Sequence, residues 1–531
     1  MGVSLLFAYI LCCGFVRIDR LPIDLVIFQE VQGGSRMMET TRPAEGWNKQ
    51  KIKALFLHSA DVEIQEYRFG ESADEVILVY SGGLCDSSQI AKVILPGLES
   101  MYRHQRGGGL QSDSITVPLP LIAVEADTSP ERLSESVFQG DLLLLFSQTN
   151  LLLKMDIARR PDRTPEESST EISINGPKDG FVEDIVVNAA LVRKRIRSQS
   201  LCYETFTLGR RTRTKVGLFY VGDIISPDVL NEVRTRLNKI DVDGLQSINQ
   251  LEQNIADKPY TLMPLFDYTG RPDKAVTSLL NGRFVIIVDG NPMVLIGPGT
   301  FLLLLKSPED IYFGFQYISF ARLIRTLSFL ISVLLPGIWV ALTSFHPDQI
   351  PFRLMATIAT ARFGLPFSGQ IEMLILLLLL EIFREAGLRL PSAFGQTLTV
   401  VGGLIIGDAA IRAGFVSPSV IIVGAIVSVT GATLVSQNLS GAVSILRFAF
   451  FFIASALGMF GLIISFVLFI GYLCKLSSFG VPYMSPLSPP VFKEMAGSIF
   501  RLPWRQYRRR PADLNTLDSD KQGEEPHESN P

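Results

Sequence analysis

Glu381, Arg384, Glu385 and Arg389 recur at helical spacing inside a stretch that is otherwise almost wholly apolar. Side chains three or four residues apart on a helix are neighbours, so Glu381–Arg384 and Glu385–Arg389 can pair locally. Asp408 and Arg412 repeat the spacing farther along, and Glu372 stands alone upstream. An ionised group in a bilayer costs on the order of 3 kcal/mol, so each needs a partner, water or a protein neighbour. Two readings fit these pairs equally: ion pairs that fasten helix ends, or a functional role as an aqueous ion route or a subunit contact. A second pattern lies between them. Gln396, Thr399, Gly403, Gly407 and Ala410 form a narrow stripe of small or polar residues. Such a stripe permits close helix packing or suits a water-lined wall, and composition does not choose.

Patterns for catalysis are missing from the chain. It has no Gly-rich phosphate loop ending in Gly-Lys-Ser/Thr, no His-Glu-x-x-His and no Gly-x-Ser-x-Gly. The four histidines, His58, His104, His346 and His527, are far apart, which argues against a local metal or triad motif. The five cysteines, Cys12, Cys13, Cys85, Cys202 and Cys474, form no Cys-x-x-Cys pair and no disulfide framework. A formal net charge of -3 supplies no field that favours nucleic acid. The basic run Arg210, Arg211, Arg213 and Lys215 reads as a solvated loop before a strand. The expected protein is neither an enzyme nor a cofactor carrier.

The elements that must hold the charged pairs are helices. From Phe320 to Lys475 apolar runs follow one another, and roughly 20 such residues span a bilayer as a helix. Expected spans are Ala321–Thr343, Ile371–Ala386, Gln396–Ile411, Val420–Val435 and Ile445–Leu473. Ile350–Gly364 is too polar to cross and reads as an interfacial or re-entrant helix. Arg322 and Arg325 flank the first span, and the loop after it lacks Lys and Arg. That asymmetry puts the N-terminal region inside. The C-terminal flank is also basic, yet five spans would place it outside. The count and the charge rule disagree there.

Upstream, the chain reads as α/β. Residues 52–158 form a first soluble subdomain, with strands at Asp61–Phe69, Glu75–Tyr80 and Val137–Phe146 and a helix capped at Asp86. Residues 159–169 are a linker by composition. Residues 170–310 form a second subdomain. It carries an amphipathic helix at Phe181–Ile196, a strand at Thr214–Ile225, a helix opened by Ser226-Pro227, and a hairpin around Asp289–Pro292. Residues 320–475 are the transmembrane domain, and 476–531 a basic segment and disordered tail. Residues 1–51 are an extension, disordered or translated from a start assigned too far upstream, with Met37 or Met38 as the beginning. The fold class is thus a soluble α/β N-terminal region of two subdomains plus an α-helical, multi-pass transmembrane bundle.

Several ordered blocks carry a family resemblance. They are NGPKDGFVEDIVVNAALVRKRIRS from Asn175, VGDIISPDVLNEVRTRLNKIDVDG from Val221, and GRPDKAVTSLLNGRFVIIVDGNPMVLIGPGTF from Gly270. SPEDIY from Ser307, REAGLRLPSAFGQ from Arg384, GDAAIRAGFVSPS from Gly407 and SFGVPYMSPLSP from Ser478 continue the match. In these the chain resembles the GerA family of spore germination proteins, on the side of the A subunits of nutrient germinant receptors. The resemblance spans Ala54 to Arg510. It implies a homo-oligomer in the spore inner membrane, opened as an ion channel by nutrient. It also implies work beside a permease-like B subunit and a lipoprotein C subunit, with lipid contact and no nucleic acid. The soluble region would face the cytoplasm, the spore core. Taken with the stripe, it implies that Gln396, Thr399, Val400, Gly403 and Gly407 line the pore. The alternatives are the accessory germination protein of the dipicolinic acid channel, or a non-conducting scaffold or transporter.

Overall fold

The computed structural model describes residues 47–69, 74–104, 119–125, 127–158, 171, 173–389, 409 and 411–522. The residues before 47, the linker tract 159–169 and the stripe from 396 to 407 lie outside them.

Strands β1 (Val62–Phe69), β2 (Asp74–Ser81), β3 (Ile122–Ala123), β4 (Asp141–Phe146) and β5 (Leu151–Asp156) make an antiparallel sheet in the order β1-β2-β4-β5-β3. Successive side chains of a strand point to opposite faces, and here both faces are covered. Val76, Leu78, Leu142 and Leu144 pack on Ile90, Ile94 and Leu98. Ile77, Val79, Leu143 and Leu145 pack on Ile52 of α1 (Lys49–Leu55) and on Leu133 and Val137 of α3 (Pro130–Gln139). The helical run on the first face starts where the Asp86 side chain accepts from the Ser88 amide at 3.0 Å, and it ends in α2 (Leu95–His104). One expected strand is corrected. Val137–Phe146 is rich in apolar residues, but Gly140 at φ 104° ends α3 inside it, and only Asp141–Phe146 is strand.

The second sheet repeats the first. Strands β6 (Leu201–Leu208), β7 (Thr214–Val221), β8 (Asp267–Thr269), β9 (Phe284–Val288) and β10 (Val294–Gly297) take the order β6-β7-β9-β10-β8, the same permutation. In each unit a helix precedes the first strand: α1, and α4 (Ile185–Arg195). Others follow the second strand, in this unit α5 (Pro227–Lys239) and α6 (Ile248–Ile255). One helix precedes the fourth: α3, and α7 (Pro272–Leu280). Tyr80 and Tyr220 occupy the ends of β2 and β7, with Gly82 and Gly222 two residues on. Pro130 and Gly140 bracket α3 at the spacing with which Pro272 and Gly282 bracket α7, and both glycines have positive φ. The two units are topological copies.

Helix α4 joins them. It is buried nearly all round rather than amphipathic, as a helix between two layers must be. Arg193, without exposed surface, donates to Asp61 at 2.8 and 3.0 Å and to Ser59 at 3.2 Å, and stacks 4.0 Å over Phe138. All three partners belong to the first unit.

The remainder is a helical bundle: α8 (Phe315–Phe345), α9 (Phe352–Ala361), α10 (Gly369–Arg389), α11 (Pro418–Ala432) and α12 (Gln437–Lys475). Helices α8 and α12, of 31 and 39 residues, are long and apolar enough to cross a membrane. The latter is no single rod. Gly458 has φ 64° and ψ −150°, a conformation essentially confined to glycine. A Cβ on Gly461 would lie 3.2 Å from Ile453, and the rings of Phe450 and Phe469 are 5.8 Å apart. In a straight helix, at about 1.5 Å per residue, those rings would be nearly 30 Å apart. The expected span Ile445–Leu473 is therefore a hairpin of two antiparallel arms. Arg447 meets Ser332 and Gly458 meets Phe345, so the first arm runs parallel to α8 and the second returns. The C-terminal flank then lies on the same side of the bundle as the soluble units.

The tail is a further correction. Residues from Leu476 to Gln522 dock on the second unit instead of trailing away. Phe479 packs edge-on to Phe266 and Phe284, its amide donates to Asp257 at 2.8 Å, and the Phe301 amide donates to the Tyr483 carbonyl at 2.9 Å. Replacing Gly458 tests the hairpin. Gly458→Ala strains the backbone and brings a Cβ to 3.0 Å from Phe345, so a loss of about 1–3 kcal/mol is expected. Thermal unfolding of the purified chain reads this, and an unchanged midpoint would mean a continuous helix.

Candidate functional site

The link between the second unit and α8 is a single turn, and its chemistry is dense. Ser307 opens it, its hydroxyl accepting from the Glu309 amide at 3.3 Å. The 3-10 turn Pro308–Ile311 then presents two consecutive carboxylates in different directions.

Glu309 faces the soluble half. It bonds the guanidinium of Arg271, which is only 2% exposed, and it accepts from the Asn175 amide at 3.1 Å and the Ser173 hydroxyl at 3.3 Å. Arg271 also forks onto Asp273 at 3.1 and 2.7 Å, and the Tyr312 hydroxyl donates to that carboxylate at 2.9 Å. Planar bidentate pairing of this kind is among the stronger hydrogen-bonded contacts. Burial alone would raise the Glu309 pKa, but the bonds from Arg271 and the Asn175 amide outweigh it and hold the carboxyl below its ordinary 4.5. Because the folded value is depressed, its stabilisation is complete above pH 4.5 and is lost as pH falls below it.

Asp310 faces the bundle. Arg322 and Arg325, one turn apart on α8, each donate to it at 2.8 Å, and Arg325 also reaches the Leu305 carbonyl at 3.2 Å. Arg501 of the tail caps the turn through the carbonyls of Asp310, Ile311 and Phe313. Ser319 of α8 exchanges bonds of 3.0 Å with the Arg501 backbone. Read from sequence, Arg322 and Arg325 signal only orientation. Their anchoring of Asp310 could have been suspected from the acidic pair in SPEDIY.

Within the bundle, Glu381 and Arg384 pair at 3.3 Å as their spacing predicts, and each is about a third exposed (34% and 36%). Ser444 of α12 binds both, donating to Glu381 at 2.9 Å and accepting from Arg384. Glu372 is wholly buried, accepts from the Ser417 amide at 2.9 Å and lies 3.4 Å from Arg362. The sequence reading missed Arg447, a lone cation in an apolar run. It is 6% exposed and donates to the Ser332 carbonyl and hydroxyl at 3.0 and 2.8 Å. The side chain of Arg389, Asp408 of the Asp408–Arg412 pair, and Gln396, Thr399, Val400, Gly403 and Gly407 lie outside the described residues. The basic run is an exposed turn, with Arg210 paired to Asp241 and Arg211 3.8 Å from Asp243.

Fold and site together define an α/β protein wired by buried charge to a helical bundle that holds two membrane-capable helices. A family model described as Bacillus/Clostridium GerA spore germination protein matches residues 50–513. The chain belongs to this family. Spore germination protein XA of Bacillus anthracis is 41% identical over 482 residues, which cover 90% of this chain and 97% of that one. Spore germination protein KA of Bacillus subtilis (strain 168) is 35% identical, covering 91% and 89%. Spore germination protein B1 of the same organism is 32% identical, covering 90% and 98%. Among solved structures, the N-terminal domain of the A subunit of the Bacillus megaterium spore germinant receptor GerK3 aligns at 25% identity with a TM-score of 0.36. That alignment covers 49% of this chain and 99% of that domain.

Removing one member of the buried network leaves its partners charged and unpaired, at a cost of about 3–5 kcal/mol. Arg271→Ala should show that loss in denaturation of the full chain. Arg211→Ala, at an exposed pair, should stay within about 1 kcal/mol. Equal losses would mean that the junction is no stronger than a surface contact.

Proposed function

We propose that this chain is the A-type subunit of a nutrient germinant receptor, and that copies of it form a multi-pass, nutrient-gated ion channel in the spore inner membrane. Its partners in this reading are a permease-like B subunit and a lipoprotein C subunit, and its soluble half faces the spore core. Membership of the family supports the germination role. The observation that carries the oligomer is the open face of Glu381 and Arg384. In this multi-pass reading α10 lies in the bilayer, where a charged pair one-third exposed cannot rest against hydrocarbon and needs a second subunit or water. The small-polar stripe of Gln396, Thr399, Gly403 and Gly407 follows directly on that helix in the chain. It supplies a pore wall, with Val400 narrowing it. The junction at Glu309 and Asp310 is the connection through which the soluble half and the bundle act on each other.

Dewetting closes a narrow apolar constriction, so a smaller residue at position 400 favours the conducting state. Val400→Ala should raise ion flux in proteoliposomes without nutrient, and should cost spores their dormancy. Absence of any flux from the complete complex, with nutrient present, would contradict the channel reading. Reversing the pair tests the open face: Glu381→Arg or Arg384→Glu alone should lower assembly, and the double reversal should recover it. A double no better than either single would assign the two charges separate partners.

A further inference from the structure

Beside the junction, positive charge is left over. Arg283, just before β9, and Arg322 of α8 both lie close enough to Lys306 of the link to act on its charge, and Asp267, Asp310 and Asp513 are the neighbouring carboxylates. Asp310 is already engaged by Arg322 and Arg325. Arg283 is 6% exposed, its Nη1 has no hydrogen-bond partner among the described residues, and its Nη2 reaches only Thr300 at 3.4 Å. Arg322 bonds Asp310 through Nε, while its buried Nη1 is likewise without a partner among the described residues. Asp513 belongs to the docked tail, and its buried Oδ1 is also unbonded among them. Even with Asp267 and Glu171 held by Lys274 and Asp310 shared by Arg322 and Arg325, the cations outnumber the carboxylates named here, although uncompensated buried charge costs several kcal/mol per ion.

We propose that Arg283, Lys306 and Arg322 form a binding site for a phosphate-type oxyanion, carried by a phospholipid headgroup or by the free ion. Guanidinium forks match a tetrahedral oxyanion's oxygens, and an ammonium adds a third point of charge. The location suits a headgroup. Arg322 sits in the first turns of α8, where Phe315, Tyr317, Phe320 and Leu323 are exposed, the apolar surface that lipid would cover. Only the headgroup source rests on the membrane reading; the charge arrangement does not. Burial, then Arg322 and Arg283, push the Lys306 ammonium down to about 7. A bound anion reverses that push, so binding takes up a proton and tightens as pH falls through 7.

The test uses the full chain in phosphatidylcholine nanodiscs, with inorganic phosphate titrated against chloride at equal ionic strength. Saturable stabilisation of about 2–4 °C is expected. If the headgroup is the occupant, phosphatidylglycerol in the disc gives that shift itself and abolishes the response to phosphate. If the free ion is, the response survives in both discs. Arg283→Gln and Lys306→Gln should each remove the stabilisation, and Lys306→Arg should keep it. With sulfate, which does not titrate in this range, the shift should be larger at pH 6 than at pH 8.5. A wild-type chain indifferent to both phosphate and phosphatidylglycerol overturns the site. Variants that respond like wild type overturn it too, and equal sulfate shifts at both pH values remove Lys306 from it.

Discussion

Two adjacent carboxylates, Glu309 and Asp310, bind opposite halves of this molecule. Glu309 is held by Arg271 of the second soluble unit, and Asp310 by Arg322 and Arg325 of the first long helix. Neighbouring residues on one turn cannot move independently. The soluble unit and α8 are thus joined within a single peptide, without an intervening flexible linker. Buried ion pairs are poor sources of net stability but strict in geometry, since a broken pair leaves a charge without water. Everything around the turn follows from this demand. The tail returns to cap its carbonyls with Arg501, and the hairpin of α12 is what returns the tail to that side.

The duplicated soluble fold explains how the first unit joins in. Each copy has the same strand order, and α4 carries Arg193 from the second copy into Asp61, Ser59 and Phe138 of the first. The contact repeats the logic of the junction, a buried guanidinium satisfied across a boundary. The same device therefore links the first unit to α4, and the second unit to α8. Inside the bundle it reappears as Arg447 on Ser332 and as Glu381 with Ser444 and Arg384.

Much of this was legible in the residues. Runs of β-forming residues ended by glycine marked β1 and β2, the Asp289–Pro292 turn marked β9, proline and serine marked the start of α5, and Glu381–Arg384 pairs at the spacing that suggested it. What escaped was non-local or carried by one glycine. Gly140 ends a helix just ahead of the leucine run of β4, and Gly458 folds a helix back inside a long apolar stretch. Neither position alters hydropathy, which is the quantity a sequence reading follows. The repeat escaped for a similar reason. Tyr80 with Gly82 and Tyr220 with Gly222 match, but the core strands between such points exchange Val, Ile, Leu and Phe freely, because burial asks only for volume. The junction escaped because Arg271 and Glu309 are far apart in the chain, whereas GRPDKA and SPEDIY entered only as family text.

On the receptor-channel function proposed above, the direct test of coupling through the turn is nutrient-triggered ion release from the complex carrying Asp310→Asn. The amide keeps the shape of the turn while removing the charge that Arg322 and Arg325 share. Release should fall about tenfold or more, in line with a coupling free energy of 1–3 kcal/mol, while assembly is kept and Asp243→Asn, on the exposed turn, behaves as wild type. An Asp310→Asn receptor that assembles and releases ions at the wild-type rate would contradict transmission through this turn.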